Sequence, residues 1–118
     1  MSLTATDCLF CRLVAGEIPA ERVAETEDVI AFRDINPVAP EHVLVIPRTH
    51  IESLAALDFD RPEHVRAWTE LGRVARAIGD DHQNGWRLVT NVGVEGGQTV
   101  NHLHLHVLAG RRFTWPPG

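Results

Sequence analysis

Hydrophobic positions along the chain fall into three patterns: short β-branched runs, one stripe at helical spacing, and one alternating segment near the C-terminus. The runs Arg22–Glu25, Val29–Arg33 and His42–Pro47 read as strands, the last a buried one halted by its proline. Val65, Trp68, Leu71, Val74 and Ile78 recur every three or four residues, with Ala75 widening the stripe, and predict one long helix. Asp60 and Glu63 carry the spacing of a capping box at its start, Pro62 is tolerated in its first turn, and Gly79–Asp80–Asp81 ends it. A short helix is predicted over Cys8–Ala15, capped by Asp7 and closed by Gly16 in a left-handed conformation. Trp86–Asn91 and Asn101–Leu108 read as the last two strands, joined by a glycine-bearing loop over Val92–Thr99. The strands do not alternate regularly with long helices. The expected fold is therefore α+β, with a mainly antiparallel five-stranded sheet, one long helix and one short one.

At 118 residues the chain has room for one domain, here 1–118, with a core over about 8–110 and a tail over 111–118. Its 44% hydrophobic and 23% charged residues suit an ordinary globular domain. The net charge of −5 argues against non-specific nucleic-acid binding, so any phosphate must be held by a few local donors. No apolar run is long enough to cross a membrane, and the first residues lack the pattern of a secretory leader. Neither nucleic acid nor membrane is expected as a partner, and the expected compartment is the cytoplasm.

The alternating segment carries the candidate chemistry. His102, His104 and His106 interleave with Leu103, Leu105 and Val107, which on a strand puts three imidazoles on one face and three apolar groups on the other. A merely solvated face would be better made of Thr, Lys or Glu. Three aligned imidazoles could instead ligate a metal. Upstream, Gly96–Gly97–Gln98–Thr99 enters the row directly; its glycines could turn backbone N–H groups toward an anion, and Thr99 adds a hydroxyl. The two cysteines, Cys8 and Cys11, form one C-x-x-C, a spacing that leaves zinc, redox chemistry and no special role all open.

His102–Leu103–His104–Leu105–His106–Val107–Leu108 resembles the signature of the histidine-triad (HIT) nucleotide-binding family. The block from Ala39 to His50 and the Gly96–Thr99 loop agree with it, and the closing Trp115–Pro116–Pro117–Gly118 is similar to the Hint branch, the nucleoside phosphoramidases. The resemblance implies a hydrolase acting on purine nucleoside phosphoramidates and acyl-nucleotides. His104 would be the nucleophile, His106 would contact phosphate or pass a proton, and Thr99, where the family often has Ser, would face the leaving group. It further implies that Asp34 accepts the ribose hydroxyls, that Leu9, Phe10, Leu13, Phe32 and Ile35 hold the base, and that Asn91, Gly97 and Gln98 help bind phosphate. Asp34 and Asn91 would otherwise be read as turn residues, and the apolar five as core.

Relatives with the C-x-x-C bind zinc through positions that correspond to Cys8, Cys11, His50 and His102, so a structural zinc is implied. A homodimer built on the long helix and an edge strand is implied too, the sheet continuing across it, with Trp115 reaching toward the partner's site. His42 is expected to support structure, and His64 and His82 to be solvated. Arg33 receives no role. The competing readings are a dinucleoside polyphosphate hydrolase, a nucleotide-binding adaptor with vestigial catalysis, and a zinc hydrolase that uses the triad as ligands.

Overall fold

A computed structural model describes residues 8–118. The elements are α1 (Leu9–Val14), β1 (Arg22–Glu25), β2 (Val29–Arg33), β3 (Glu41–Pro47), a 3₁₀ turn (Leu54–Ala56), α2 (Pro62–Gly79), β4 (Trp86–Val89) and β5 (Leu105–Ala109). The strands form one sheet in the order β1-β2-β3-β5-β4, every neighbouring pair antiparallel. This is the expected α+β architecture.

Alternation along the central strands divides the core in two. Val29, Ala31, Val43, Val45, Leu105 and Val107 face α2, where Ala67, Leu71, Val74 and Ala75 cover them. Ile30, Phe32, Leu44 and Ile46 face the other way and are covered by Phe10 and Leu13 of α1. Both faces of the sheet are thus buried, which explains why β2 and β3 read as continuous apolar runs.

Several expectations shift. Asp7 lies outside the described residues, and the cap of α1 is Cys8, whose Sγ accepts the Cys11 N–H at 3.3 Å. Gly16 follows the helix with φ of 80°, as the C′ position requires. The capping box at Asp60 does not form: Arg61 is the N-cap of α2 and makes no side-chain cap bond, while the Asp60 N–H bonds Asp58 Oδ1. The buried stripe of α2 runs through His64, Ala67, Leu71, Val74, Ala75 and Gly79, leaving Val65 exposed and Trp68 and Ile78 half-buried. His64 is buried, not solvated, because its Nδ1 accepts the Asp58 N–H at 2.9 Å and so ties the preceding loop to the helix. Gly79 sits against the Trp86 indole so closely that any Cβ there would collide with the ring.

β5 is shorter than the expected Asn101–Leu108 strand and begins at Leu105. Its ladder with β3 stops at Val45↔Leu105. Just beyond, Pro47 has no N–H to offer, and the Leu103 N–H turns instead to the Ile51 carbonyl at 2.6 Å. β4 likewise stops at Val89, opposite His106, and Thr90 then gives its hydroxyl to the His104 carbonyl at 2.8 Å. Residues 102–104 keep the alternation without the ladder.

Candidate active site and metal centre

Leu103, Leu105 and Val107 are buried toward α2, which sends His102, His104 and His106 to the α1 face. Each ring then meets a different partner, and the partner decides which nitrogen keeps its lone pair.

His102 is fully buried, and its Nε2–H donates to the Pro47 carbonyl at 2.8 Å. Its Nδ1 is left bare, 3.3 Å from Cys8 Sγ and 3.6 Å from Cys11 Sγ. His50 Nδ1 lies 3.3 Å from Cys11 Sγ. These four side chains form a group whose ligand atoms all lie within 4.8 Å of one another. Tetrahedral zinc, with Zn–S near 2.3 Å and Zn–N near 2.0–2.1 Å, sets sulfur and nitrogen ligands about 3.5 Å apart. The observed separations fit that edge, and the bond to Pro47 is the outer contact that orients a ligating imidazole. Burial, with the adjoining Cys8 thiol, pushes the Cys11 thiol up to about 12, so only a cation in the cage would favour the thiolate form.

His104 is buried with its ring edge-on to Phe10, centroids 5.2 Å apart. Its Nδ1–H donates to the His102 carbonyl at 2.7 Å, so Nε2 carries the free lone pair. His106 follows, its ring centroid 5.1 Å from that of His104.

The third ring is governed by a residue assigned only a structural part from the sequence. The Val38 N–H donates to His42 Nδ1 at 3.1 Å, which places the proton of neutral His42 on Nε2. That Nε2 is 2.9 Å from His106 Nδ1 and 3.3 Å from Asp34 Oδ2. The bond received at Nδ1 favours the form of neutral His106 that carries its proton on Nε2. Burial, reinforced by His104 and His42 and opposed by Asp34, lowers His106 to about 4, and burial also lowers His42. Both rings stay neutral near pH 7. Asp34, His42 and His106 also lie within metal-ligating reach of one another. His42 nevertheless cannot offer Nε2 to a cation while Nδ1 accepts the Val38 amide.

A cavity of about 330 Å³ opens over His104 and His106, at the low end of the usual size for small-ligand pockets. Leu9, Phe10, Leu13, Phe32, Ile35, Asp34 and Thr99 line it, together with Leu44, Ile18 and Val100. Leu44 had a signal: it alternates with Val43 and Val45 and pairs with His106. Arg33 sits at the rim between Glu21 (2.8 Å) and Glu41 (2.6 Å). A larger hollow of about 650 Å³ lies between residues 81–85 and 110–112, but it contains no member of the histidine row.

Four candidates do not line the cavity: Asn91, Gly97, Gln98 and Trp115. The expected amide cradle is not made by Gly97 and Gln98, because their N–H groups already bond the Val94 and Gly93 carbonyls, both at 3.0 Å. The Gln98 side chain braces the loop against Gly93, Glu52 and Val100. Asn91 reaches the Gly97 carbonyl at 3.4 Å, and Trp115 stands 82% exposed on the tail. His82 is half-buried, 3.5 Å from Glu41.

Residues 15–113 match the model of the HIT domain family. This chain belongs to the HIT family. Among HIT proteins it is 45% identical over 116 residues to an uncharacterized HIT-like protein of Synechocystis, covering 97% of this chain and 99% of that one. It is 40% identical to the 14 kDa zinc-binding protein of Zea mays, over 93% of this chain and 87% of the relative. A solved HIT family hydrolase from Legionella pneumophila superposes with a TM-score of 0.87 at 43% identity, over 94% of this chain and 99% of that one. Among the described residues no helix is long and apolar enough to span a membrane.

Proposed function

We propose that this HIT protein is a nucleotide-binding hydrolase or transferase that cleaves purine nucleoside 5′-phosphoramidates and acyl-nucleotides through a nucleotidyl-histidine at His104. The observation that carries the reading is the bond from His104 Nδ1–H to the His102 carbonyl, which leaves Nε2 a lone-pair nucleophile beside a cavity of nucleotide size.

In the first step Nε2 bonds to the α-phosphorus and the bond from phosphorus to the leaving amine breaks. The amine departs with a proton drawn from solvent; the Nε2–H of neutral His106 donates a hydrogen bond to the phosphate oxygens, and Thr99 faces the leaving group. In the second step a water oxygen bonds to phosphorus, the proton of that water passes back to solvent, and the electron pair returns to His104 Nε2. Asp34 accepts the ribose hydroxyls through its carboxylate, and Leu9, Phe10, Leu13, Phe32 and Ile35 enclose the base. Thr99 lies on the phosphate side, and Asn91, Gly97 and Gln98 brace the loop that carries it. Cys8, Cys11, His50 and His102 hold a structural zinc, which would pin α1 to the triad segment as a closed four-ligand site. The protein acts as a homodimer joined through α2 and the edge strand β4, with Trp115 contributed toward the partner's site.

The test is incubation with adenosine phosphoramidate and rapid quench, followed by mass spectrometry of the peptide containing His104. An AMP adduct on that residue, enriched in His106→Ala, is expected. Turnover by His104→Gly at the wild-type rate would refute the reading.

A further inference from the structure

Asp34 touches two things at once. Its Oδ1 accepts the Asn36 N–H at 2.8 Å, fixing the carboxylate in an Asx turn. Its Oδ2 lies 3.3 Å from His42 Nε2, and the side chain, 20% exposed, also lines the cavity. His42 has a single proton to give, since Nδ1 is committed to the Val38 amide. His106 Nδ1 accepts that proton at 2.9 Å, and Asp34 Oδ2, 3.3 Å from the same nitrogen, draws on it from off the bond line.

We propose that Asp34 couples ribose recognition to the acid–base state of His106: hydroxyls that occupy the carboxylate release the His42 proton wholly to His106, which fixes His106 as a donor through Nε2. The proposal rests on the nucleotide reading given above and adds a positioning role for His42 and a second role for Asp34.

The direction follows from the groups around His106. Asp34 after β2, His42 on β3 and His104 on its own segment are the titratable groups that face it, and β4 offers only Val89 opposite. The Asp34 charge favours a protonated His106, whereas the His42 N–H aimed at Nδ1 opposes it. Hydroxyl donors on Asp34 weaken the first influence and strengthen the second. Both effects hold His106 in its neutral, Nε2-protonated form. A ligand with the wrong sugar would fill the base slot but leave the proton shared.

The readout is the ring ¹⁵N resonances of His106 at pH 7, recorded with no ligand, with adenosine, and with 2′,3′-dideoxyadenosine. Adenosine is expected to move them toward the pure Nε2–H tautomer, and the dideoxy compound to leave them near the ligand-free positions. Asp34→Asn is expected to show the Nε2–H tautomer without ligand and no further change with saturating adenosine. In turnover, the acid limb of kcat, which reports the substrate-bound enzyme, is expected about 0.5 pH unit or more higher for the dideoxy phosphoramidate than for the ribo compound, and that gap is expected to close in Asp34→Asn. Identical spectra with the two nucleosides overturn the proposal, as does an Asp34→Asn spectrum matching the wild type. Failure of both nucleosides to bind also overturns it. The His104 adduct, measured separately, tells whether the nucleotide reading falls with it.

Discussion

The two faces of the segment from His102 to Val107 are made by the same backbone yet obey different rules. Toward α2, Leu103, Leu105 and Val107 need only fill space, and an apolar group of similar volume would serve. Toward α1, each ring is held by one particular atom: the Pro47 carbonyl for His102, the His102 carbonyl for His104, and His42 Nε2 for His106. One face tolerates change in identity and punishes change in volume; the other does the reverse. Three identical side chains thus acquire three different jobs from their second nitrogen.

The sharpest way to break this contrast is at His104. Its replacement by Ala is expected to lower turnover by at least about 10³-fold while leaving the thermal midpoint close to wild type, checked by single-turnover kinetics and calorimetry. Leu105→Ala should do the opposite. Emptying a site that is 2% exposed is expected to cost about 2–5 kcal/mol in denaturant titration, with activity per folded molecule retained. Removing metal sharpens the comparison from the His102 end. Cys8→Ser is expected to lose bound zinc by elemental analysis and to speed hydrogen exchange in α1, with a smaller loss of turnover than at His104.

The smallest effect concerns pH. His42 and His106 lie below their ordinary 6.5 in the folded chain, His106 at about 4, so the unfolded chain binds more protons in between. Stability should be complete above about 6.5 and decline as pH falls toward 4. His106→Asn should flatten that decline in thermal melts.

Alternation was legible from the residues because period two follows from extended backbone itself, with or without a ladder, so His102 and His104 fell on the right face although β5 begins only at Leu105. The five strands and two helices were legible for the same reason: local periodicity reports local geometry. Contacts made by polar groups across long sequence separations were not. Nothing near His64 announces that the Asp58 amide will claim its ring, and nothing near His42 announces the shared proton with His106, 64 residues away. The capping box failed because Asp58, not Asp60, closes the turn before α2. The glycine loop misled in a related way, since its amides close the loop on itself. The cage of Cys8, Cys11, His50 and His102 came from family resemblance; spacing alone shows only half of it.

The carbonyl that orients the His104 ring is main chain, two residues upstream of it. Whatever side chain stands at position 102, that oxygen stays where it is. The metal-binding end and the cavity end of the row are therefore separable: a lineage could discard the cysteines, repack α1 with hydrocarbon, and keep the imidazole at 104 in the same pose.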